Sequence, residues 1–353
     1  MCAVPSCESP KYEDGRQPYD PDLNGWRSAS WSPFVMGDRI TGFAYGIINS
    51  QDRYVAISGT GVIAWSRDGD IWKKAQLPQE LSGCAFNAVC FGKTGSSGRF
   101  VAAGDDGIYT WSDDGENWFV NDPVEMPGFG AVLGINGITF GAGFFVAVGE
   151  NRMISCSTDG INWTTVSSGG GITLNDIAYD GGTGRFYVVG SGGNRAWTDN
   201  PSGAWTFLGA DTTGEPPMGD ANILKVAVGR YGGGIGIGVL FTERHVDGSP
   251  VNRFAVSITP DFSFGYNLDK NIEQFLFRDF TMNGIAWGGG NFVAAGSCAM
   301  IGFWPSAQPS RTGERFFRAI SFPEFRKWEI SALEACNGRF FVGNVDGKIG
   351  YSK

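Results

Sequence analysis

Acidic side chains follow several predicted strands of this chain, where paired carboxylates could carry out acid–base chemistry. Asp105 and Asp106 follow one apolar strand, Glu150 follows the next, and Asp346 follows the last. Two facing carboxylates would suffice for glycoside hydrolysis. Asp and Gly together specify tight turns, however, and we interpret these acids as turn residues. We therefore predict no catalytic residue.

The sequence gives little support for a metal site, a catalytic nucleophile or a phosphate-binding loop. The single histidine, His245, lies in a polar hairpin and has no second histidine with which to form a metal site or a catalytic triad. The glycine-rich stretch 232–236 lacks the lysine and the following helix that a phosphate-binding loop requires. The sequence thus predicts no metal site and no cofactor.

A seven-residue box recurs along the chain, with serine, aspartate, glycine and tryptophan at fixed offsets. Its three clear copies are Ser66, Asp68, Gly69 and Trp72; Ser112, Asp114, Gly115 and Trp118; and Ser157, Asp159, Gly160 and Trp163. We interpret the box as structural. Its Asp would accept backbone N–H bonds within its own turn, its Gly would take the left-handed conformation, and its Trp would pack between neighbouring repeats.

The elements that carry these boxes repeat with the length of a propeller blade. Trp72 and Trp118 are 46 residues apart, and Trp118 and Trp163 are 45 apart, which matches a unit of four short strands. Upstream of each box lies an apolar strand ending in a small residue, as in Phe100–Gly104. We take these as inner strands. Seven such strands, beginning near residues 54, 100, 145, 186, 236, 292 and 340, predict an all-β, seven-bladed β-propeller.

The two ends of the chain supply complementary halves of one repeat. The chain ends at Ser352 and Lys353 before an outer strand, while Asp22–Trp26 resembles the second half of a box. We expect an N-terminal outer strand at residues 26–29 to complete the C-terminal blade, which would remove two free sheet edges. Residues 25–353 then form one propeller domain, and residues 1–24 an extended N-terminal arm.

With these boxes the chain resembles the Asp-box, or sialidase-type, β-propellers. That class includes glycosidases, lectin-like modules, photosystem assembly factors and tail or fibre proteins of bacteriophages. The amino-acid sequence of the repeats is most similar to that of the repeats in phage virion proteins and secreted bacterial binding proteins. A sialidase would bring three arginines, a tyrosine nucleophile and an early Arg-Ile-Pro segment, yet here Arg39-Ile40 is followed by threonine.

The resemblance implies a non-enzymatic interaction protein, most similar to a bacteriophage virion component such as a tail, fibre or capsid-associated protein. It would bind other virion proteins or a host-surface glycan, and its arm could mediate oligomerisation. A secreted glycan-binding or glycan-cleaving protein is the alternative. Because the first residues lack a secretory leader, we expect assembly in the host cytoplasm and a location in the virion, with an extracellular location as the alternative.

Charge and loop lengths indicate where partners would bind. The net charge of −9 disfavours a nucleic-acid partner and differs from the basic patch expected of a photosystem assembly factor. No stretch is apolar enough for membrane insertion. We place the binding face opposite the boxes, where the longer connections lie. Its candidate residues are Asp105, Asp106, Glu150, Arg152, Arg195 and Asp346.

Overall fold

The computed structural model describes the greater part of the chain. Described are residues 30–95, 97–120, 133–208, 221–231, 233–244, 250–257, 260–262, 281–297, 300–305, 318–321 and 329–352. The predicted arm, the predicted strand at 26–29, His245 and most of the long connections near 121–134, 209–221, 267–283 and 323–329 lie outside these residues. Within them, no helix is long and apolar enough to cross a membrane.

The described residues form antiparallel sheets in which the strands follow one another from the inside outward. The innermost strands are β2 (Ile40–Ile48), β6 (Phe86–Thr94), β10 (Ile135–Gly141), β14 (Leu174–Asp180), β18 (Asn222–Tyr231), β21 (Met282–Gly288) and β25 (Ile330–Cys336). The second strands are β3 (Gln51–Ser58), β7 (Ser97–Gly104), β11 (Phe144–Gly149), β15 (Arg185–Gly190), β19 (Gly234–Arg244), β22 (Asn291–Gly296) and β26 (Arg339–Asn344).

Two further strands lie outside most of these pairs. The third strands are β4 (Ile63–Ser66), β8 (Tyr109–Ser112), β12 (Ile154–Ser157), β16 (Arg195–Thr198), β20 (Pro250–Ser257), β23 (Met300–Pro305) and β27 (Lys348–Tyr351). The outer strands are β1 (Ser30–Val35), β5 (Trp72–Lys74), β9 (Phe119–Val120), β13 (Thr164–Ser167), β17 (Thr206–Leu208) and β24 (Arg318–Ser321). Within the described residues, three short 3-10 helices span Gln79–Leu81, Asp105–Gly107 and Glu150–Arg152.

The sheets form a ring, which confirms an all-β propeller. Each innermost strand contacts the innermost strand of the next sheet, from β2 through β25 and back to β2. Six sheets have four strands, and the sheet of β18, β19 and β20 has three among the described residues. We call the contact between neighbouring sheets a seam. Separate apolar clusters fill the seams, and the cluster around Phe43, Trp72 and Phe341 joins the first sheet to the last.

The chain termini share one sheet. β1 pairs antiparallel with β27, in the order β1, β27, β26, β25. An N-terminal strand therefore completes the C-terminal sheet. The described strand begins at Ser30, whereas the sequence placed it at residues 26–29.

One sequence assignment is wrong. The apolar strands taken as innermost are the second strands of their sheets. Val101, Ala102 and Ala103 in β7 are fully buried, because a second strand is covered by neighbouring sheets on both faces. Continuous apolar character thus marks burial on both faces rather than proximity to the axis.

The small residue at the end of many second strands has a steric cause. A Cβ atom at Gly104 would collide with the carbonyl oxygen of Ala85, and one at Gly149 with that of Gly134. These carbonyls belong to the segment that leads into the innermost strand of the same sheet. Each accepts a hydrogen bond from the residue after the glycine, Asp105 N–H at 3.1 Å and Glu150 N–H at 3.0 Å. The glycine therefore lets the incoming segment attach to its own blade.

Each innermost strand contains a β-bulge near its start, and the bulged residue links adjacent sheets. The register shifts by one residue at Thr41, Asn87, Asn136, Asn175, Leu224, Asn283 and Ser331. Six of these side chains donate to a main-chain carbonyl at the start of the next innermost strand, an arrangement we call the latch.

The latches run in one direction around the ring. Their donor–acceptor pairs are Thr41 to Phe86 (2.6 Å), Asn87 to Ile135 (3.0 Å), Asn136 to Leu174 (2.9 Å), Asn175 to Ile223 (2.7 Å), Asn283 to Ile330 (2.7 Å) and Ser331 to Ile40 (2.6 Å). The last pair closes the ring between the first and last sheets. The remaining bulged residue, Leu224, carries no donor group.

Removing a latch should destabilise the ring. Asn136→Ala should lower the free energy of unfolding by about 1–3 kcal/mol, because the Leu174 carbonyl loses a hydrogen bond in a partly buried seam. Leu224→Asn adds a donor at the position that lacks one and should raise the stability. Chemical denaturation of both variants measures the two effects, and an unchanged midpoint for Asn136→Ala would contradict the role of the latch.

Candidate functional site

The boxes form compact turns between the third and outer strands. In the box at Asp114, one carboxylate oxygen accepts hydrogen bonds from the Ser112 hydroxyl (3.0 Å) and from the N–H groups of Glu116 and Asn117 (both 2.7 Å). Gly115 has a φ of 76°. The boxes at Asp68 and Asp159 have the same bonds, so these aspartates hold their own turns.

The hydrogen bonds lower the pKa of the box aspartates. Partial burial alone would raise the pKa of Asp159, but N–H donors from Asn162 and Ile161 outweigh it and lower the pKa from 3.8 to about 2. The pKa values of Asp68 and Asp114 are lowered by the same kinds of donor, again against partial burial. Such carboxylates stay ionised at neutral pH, which suits a structural role rather than proton transfer.

The box tryptophans connect each turn to the preceding sheet. Trp72 donates its indole N–H to the Gly69 carbonyl at 2.9 Å, and its ring packs edge-on against Phe341 of the last sheet. Trp163 stacks on Tyr109 with ring centroids 4.2 Å apart. The face of the ring that carries these turns is called the box face below.

The predicted binding residues lie at turns between second and third strands, on the opposite face, which we call the loop face. Asp105 and Asp106 are exposed, and Asp105 accepts a hydrogen bond from Asn87 at 2.8 Å. Asp346 is also exposed and lies within 3.4 Å of the Asn344 amide. Asp346 belongs to a different blade from Asp105 and Asp106, and Asp105 and Asp346 are each hydrogen-bonded within their own blade.

The remaining predicted binding residues form hydrogen bonds or ring contacts with other parts of the protein. Glu150 accepts a hydrogen bond from the Gly134 N–H at 3.0 Å, and Arg152 lies over the Phe207 ring at 4.8 Å. Arg195 is only 3% exposed and donates to the Phe262 carbonyl at 3.1 Å. Arg195 therefore belongs to the interior and does not present its charge to the loop face.

A central cavity of about 400 Å³ runs between the innermost strands. At the residue directly after each bulge, five strands carry a small side chain or none: Gly42, Ala88, Gly137, Gly284 and Ala332. The other two carry Asp176 and Lys225, on neighbouring strands near the loop face. Glu334 lies two residues further along β25 and is the third charged residue among the described cavity-lining residues.

The cavity charges interact with one another. The Lys225 ammonium is 3.9 Å from an Asp176 carboxylate oxygen, and the other oxygen accepts the Val226 N–H at 3.0 Å. Burial raises the pKa of Asp176, and Lys225 partly opposes that shift. This pair links the neighbouring sheets of β14 and β18, and both residues line the cavity.

Glu334 has a strongly raised pKa. Its side chain reaches solvent in the cavity, yet the ring surrounds it with protein. The pKa of Glu334 is raised from 4.5 to about 7, mainly by burial and also by the Asp176 charge, while the Ala335 N–H and Lys225 oppose the shift. Near neutral pH this carboxyl group can therefore donate as well as accept a hydrogen bond.

The sequence prediction missed the charged cavity residues. Asp176 and Lys225 are 49 positions apart and become neighbours only through the ring. A signal was present in the sequence, however. Most innermost strands begin with the same three kinds of residue: an apolar residue, then Asn, Thr or Ser, and then a small residue. Charged residues in the third position break that pattern. Among the described residues, no group of three His, Cys, Asp or Glu side chains could hold a metal ion.

Comparison with known proteins identifies the fold. No protein-family model matches the chain, and no curated protein matches it. Among solved structures, "YCF48 bound to D1 peptide" is 14% identical with a TM-score of 0.60, covering 94% of this chain and 98% of that chain. YCF48 from Cyanidioschyzon merolae is 15% identical with a TM-score of 0.60, covering 92% and 98%.

A WD40 propeller is also similar. The WD40 β-propeller domain of Doa1 is 12% identical with a TM-score of 0.55, covering 92% of this chain and 97% of that chain. At these identities the likeness shows the fold alone. The chain is a β-propeller that resembles Ycf48 and WD40 propellers.

The raised pKa of Glu334 predicts a pH dependence of stability. Unfolding returns this pKa from about 7 to 4.5, so between these values the folded state binds more protons than the unfolded state. The contribution of Glu334 to stability is therefore full below pH 4.5 and is lost as the pH rises to 7. Glu334→Gln should remove this component from urea-denaturation curves, and exposed Glu329→Gln should retain it. A Glu334 pKa near 4.5 by carbon-13 NMR would contradict it.

The box aspartates predict the opposite pH dependence. Asp159→Ala should lower the free energy of unfolding by about 2 kcal/mol at pH 7, because several turn donors lose their acceptor. Since the folded pKa is about 2 and the ordinary value is 3.8, the wild-type advantage should be full above about pH 4 and shrink toward pH 2. Thr158→Ala, at the exposed neighbouring position, is the control. An Asp159→Ala midpoint equal to that of the control would exclude this role.

Proposed function

We propose that this chain is a non-enzymatic protein-binding propeller whose central cavity receives a partner segment from the loop face. The observation that carries the proposal is the group formed by Asp176, Lys225 and Glu334. These residues bring three ionisable groups to a cavity wall in which the positions that match Asp176 and Lys225 on the other strands are Gly or Ala, and those that match Glu334 carry no charge. Charged groups on a rigid concave surface provide specific contacts for a polar segment.

Two further observations support binding over catalysis. The box carboxylates and several loop-face acids are hydrogen-bonded within their own turns, so their presence is explained by the scaffold. The similar structure titled "YCF48 bound to D1 peptide" is a propeller of this fold with a peptide. By analogy, we propose a protein segment as the ligand of this chain.

The finer assignment rests on the sequence. We propose seven blades, counting the sheet of β18, β19 and β20 as one. We also propose a bacteriophage virion component that binds neighbouring virion proteins or a host-surface glycan, because the repeat wording resembles phage propellers. Genes for capsid, portal or tail proteins beside the coding sequence would support the virion assignment, whereas transport and polysaccharide-use genes would favour the secreted alternative.

Site-specific photo-cross-linking tests the cavity. A photoreactive residue at Thr139, which lines the cavity, should cross-link one defined partner segment, whereas the same residue at Thr165 on an outer strand should not. The double variant Asp176→Asn and Glu334→Gln should weaken binding of that segment at least about tenfold, since two charge-assisted contacts are lost. Glu116→Gln on the box face should bind normally.

Two results would overturn the proposal. One is a partner segment whose affinity is unchanged in the double variant. The other is turnover of a fluorogenic glycoside that the double variant abolishes, which would make these carboxyl groups catalytic.

A further inference from the structure

The first two complete blades are separated by 46 residues, so each side chain in one has a direct counterpart in the other. In the second of these blades, Arg99 lies over the Trp111 ring at 4.3 Å. Its Nε and Nη2 atoms donate to the two Asp113 carboxylate oxygens at 2.7 and 3.0 Å. Its Nη1 atom donates to the Asp159 carbonyl in the box of the next blade at 2.7 Å. This guanidinium is thus satisfied by a carboxylate and a carbonyl.

The corresponding group in the first blade keeps the arginine and the tryptophan but loses the carboxylate. Arg53 lies over the Trp65 ring at 4.5 Å, and its side chain crosses the box glycine of the next blade, Gly115, as Arg99 crosses Gly160. The position of Asp113 is occupied by Arg67. The position of Phe119 is occupied by Lys73, which pairs across the strands with Trp65.

Three buried donors of this cluster have no hydrogen-bond acceptor. They are Nε and Nη1 of Arg53 and Nε1 of Trp65. Arg53 is 6% exposed and Trp65 is 4% exposed. A buried donor without a partner carries a desolvation penalty, which is larger for a charged group. The first blade therefore lacks the acceptor that the Asp113 carboxylate provides in the second blade.

The surrounding charge also favours an anion. The Arg67 guanidinium and the Lys73 ammonium lie 5.9 and 5.5 Å from the Trp65 ring centroid, and both residues are exposed. Burial and the Arg67 charge lower the pKa of Arg53, while Asp114 and Glu116 oppose that effect. Asp114 is already bonded within its own box turn, so it is not available to satisfy the cluster.

We propose that Arg53, Trp65, Arg67 and Lys73 form a carboxylate-binding site on the box face. The ligand is the side chain of an Asp or Glu in an acidic segment of a partner protein, an identification that rests on the proposed protein-binding function. The carboxylate takes the place that Asp113 holds beside Arg99. A planar carboxylate matches a guanidinium through two parallel hydrogen bonds, and displacement of the exposed Arg67 side chain opens access to the buried donors.

Arg67→Asp is the most informative variant, because it restores the carboxylate of the next blade. The new side chain should satisfy Arg53 from within, so the melting temperature should rise by a few degrees, as expected for about 1 kcal/mol of added stability. The same variant should bind a fluorescein-labelled, glutamate-containing hexapeptide at least about tenfold more weakly than the wild type, because the site is filled and its charge reduced.

Lys74→Asp provides the matched control. It makes the same change in net charge at an exposed neighbouring residue and should keep peptide affinity within about threefold, since charges that are exposed to water are strongly screened. The wild type should bind the glutamate peptide at least about tenfold more tightly than its glutamine counterpart, which has the same shape without the charge.

Three outcomes would overturn the site. They are equal affinity for the glutamate and glutamine peptides, equal losses of binding in Arg67→Asp and Lys74→Asp, and displacement of the peptide by inorganic phosphate at an equal concentration. The peptide assay uses the purified chain alone. Its failure is therefore distinguishable from failure of the cavity cross-linking that tests the proposed function.

Discussion

The ring depends on the latch that six of the seven bulged residues make with the next innermost strand. A propeller has no single core, so its sheets must be aligned pairwise, and small errors at successive seams would prevent closure. The latch fixes both the spacing and the register of a seam, because the short side chain reaches one carbonyl of the neighbouring sheet. Ser331 applies the same bond between the last sheet and Ile40 in the first. Pairing of β1 with β27 closes the ring again at its outer edge.

The latch also determines which residues face the cavity. Once the bulged side chain is committed to the next strand, the following residue lines the cavity in six of the seven described sheets. A Cβ atom at Gly137 or Gly284 would be crowded by the next strand, which explains the absence of a side chain there. Asp176 and Lys225 occupy that position on adjacent strands, so their 3.9 Å separation follows from the shared register. The strand with Lys225 is also the one whose bulged residue, Leu224, has no latch. This ion pair therefore lies next to the seam with the least polar linkage.

Local patterns explain which features the sequence could predict. The box contains its own hydrogen-bonding groups within seven residues, and the propeller and the terminal strand closure follow from its repetition. The innermost strands were assigned wrongly because continuous apolar character signals burial on two faces, a property of the second strands. The cavity charges and the Arg53 cluster could not be found locally. Arg67 looks like an ordinary exposed turn residue until its counterpart is seen to be Asp113 beside Arg99.

Because the blades repeat, a residue that differs from its counterparts in the other blades indicates where a partner binds. The latch residues and the box Ser and Asp hold the ring together, because each satisfies a defined backbone group in its seam or its turn. Exceptions to the repeat occur beside these groups: Asp176 and Lys225 each follow a bulged residue, and Arg67 follows a box serine. Asp176 also accepts the Val226 N–H of the next sheet. Each of these three residues leaves a charge or an unsatisfied donor beside an intact scaffold. A partner that supplies the complementary group would satisfy that charge or donor.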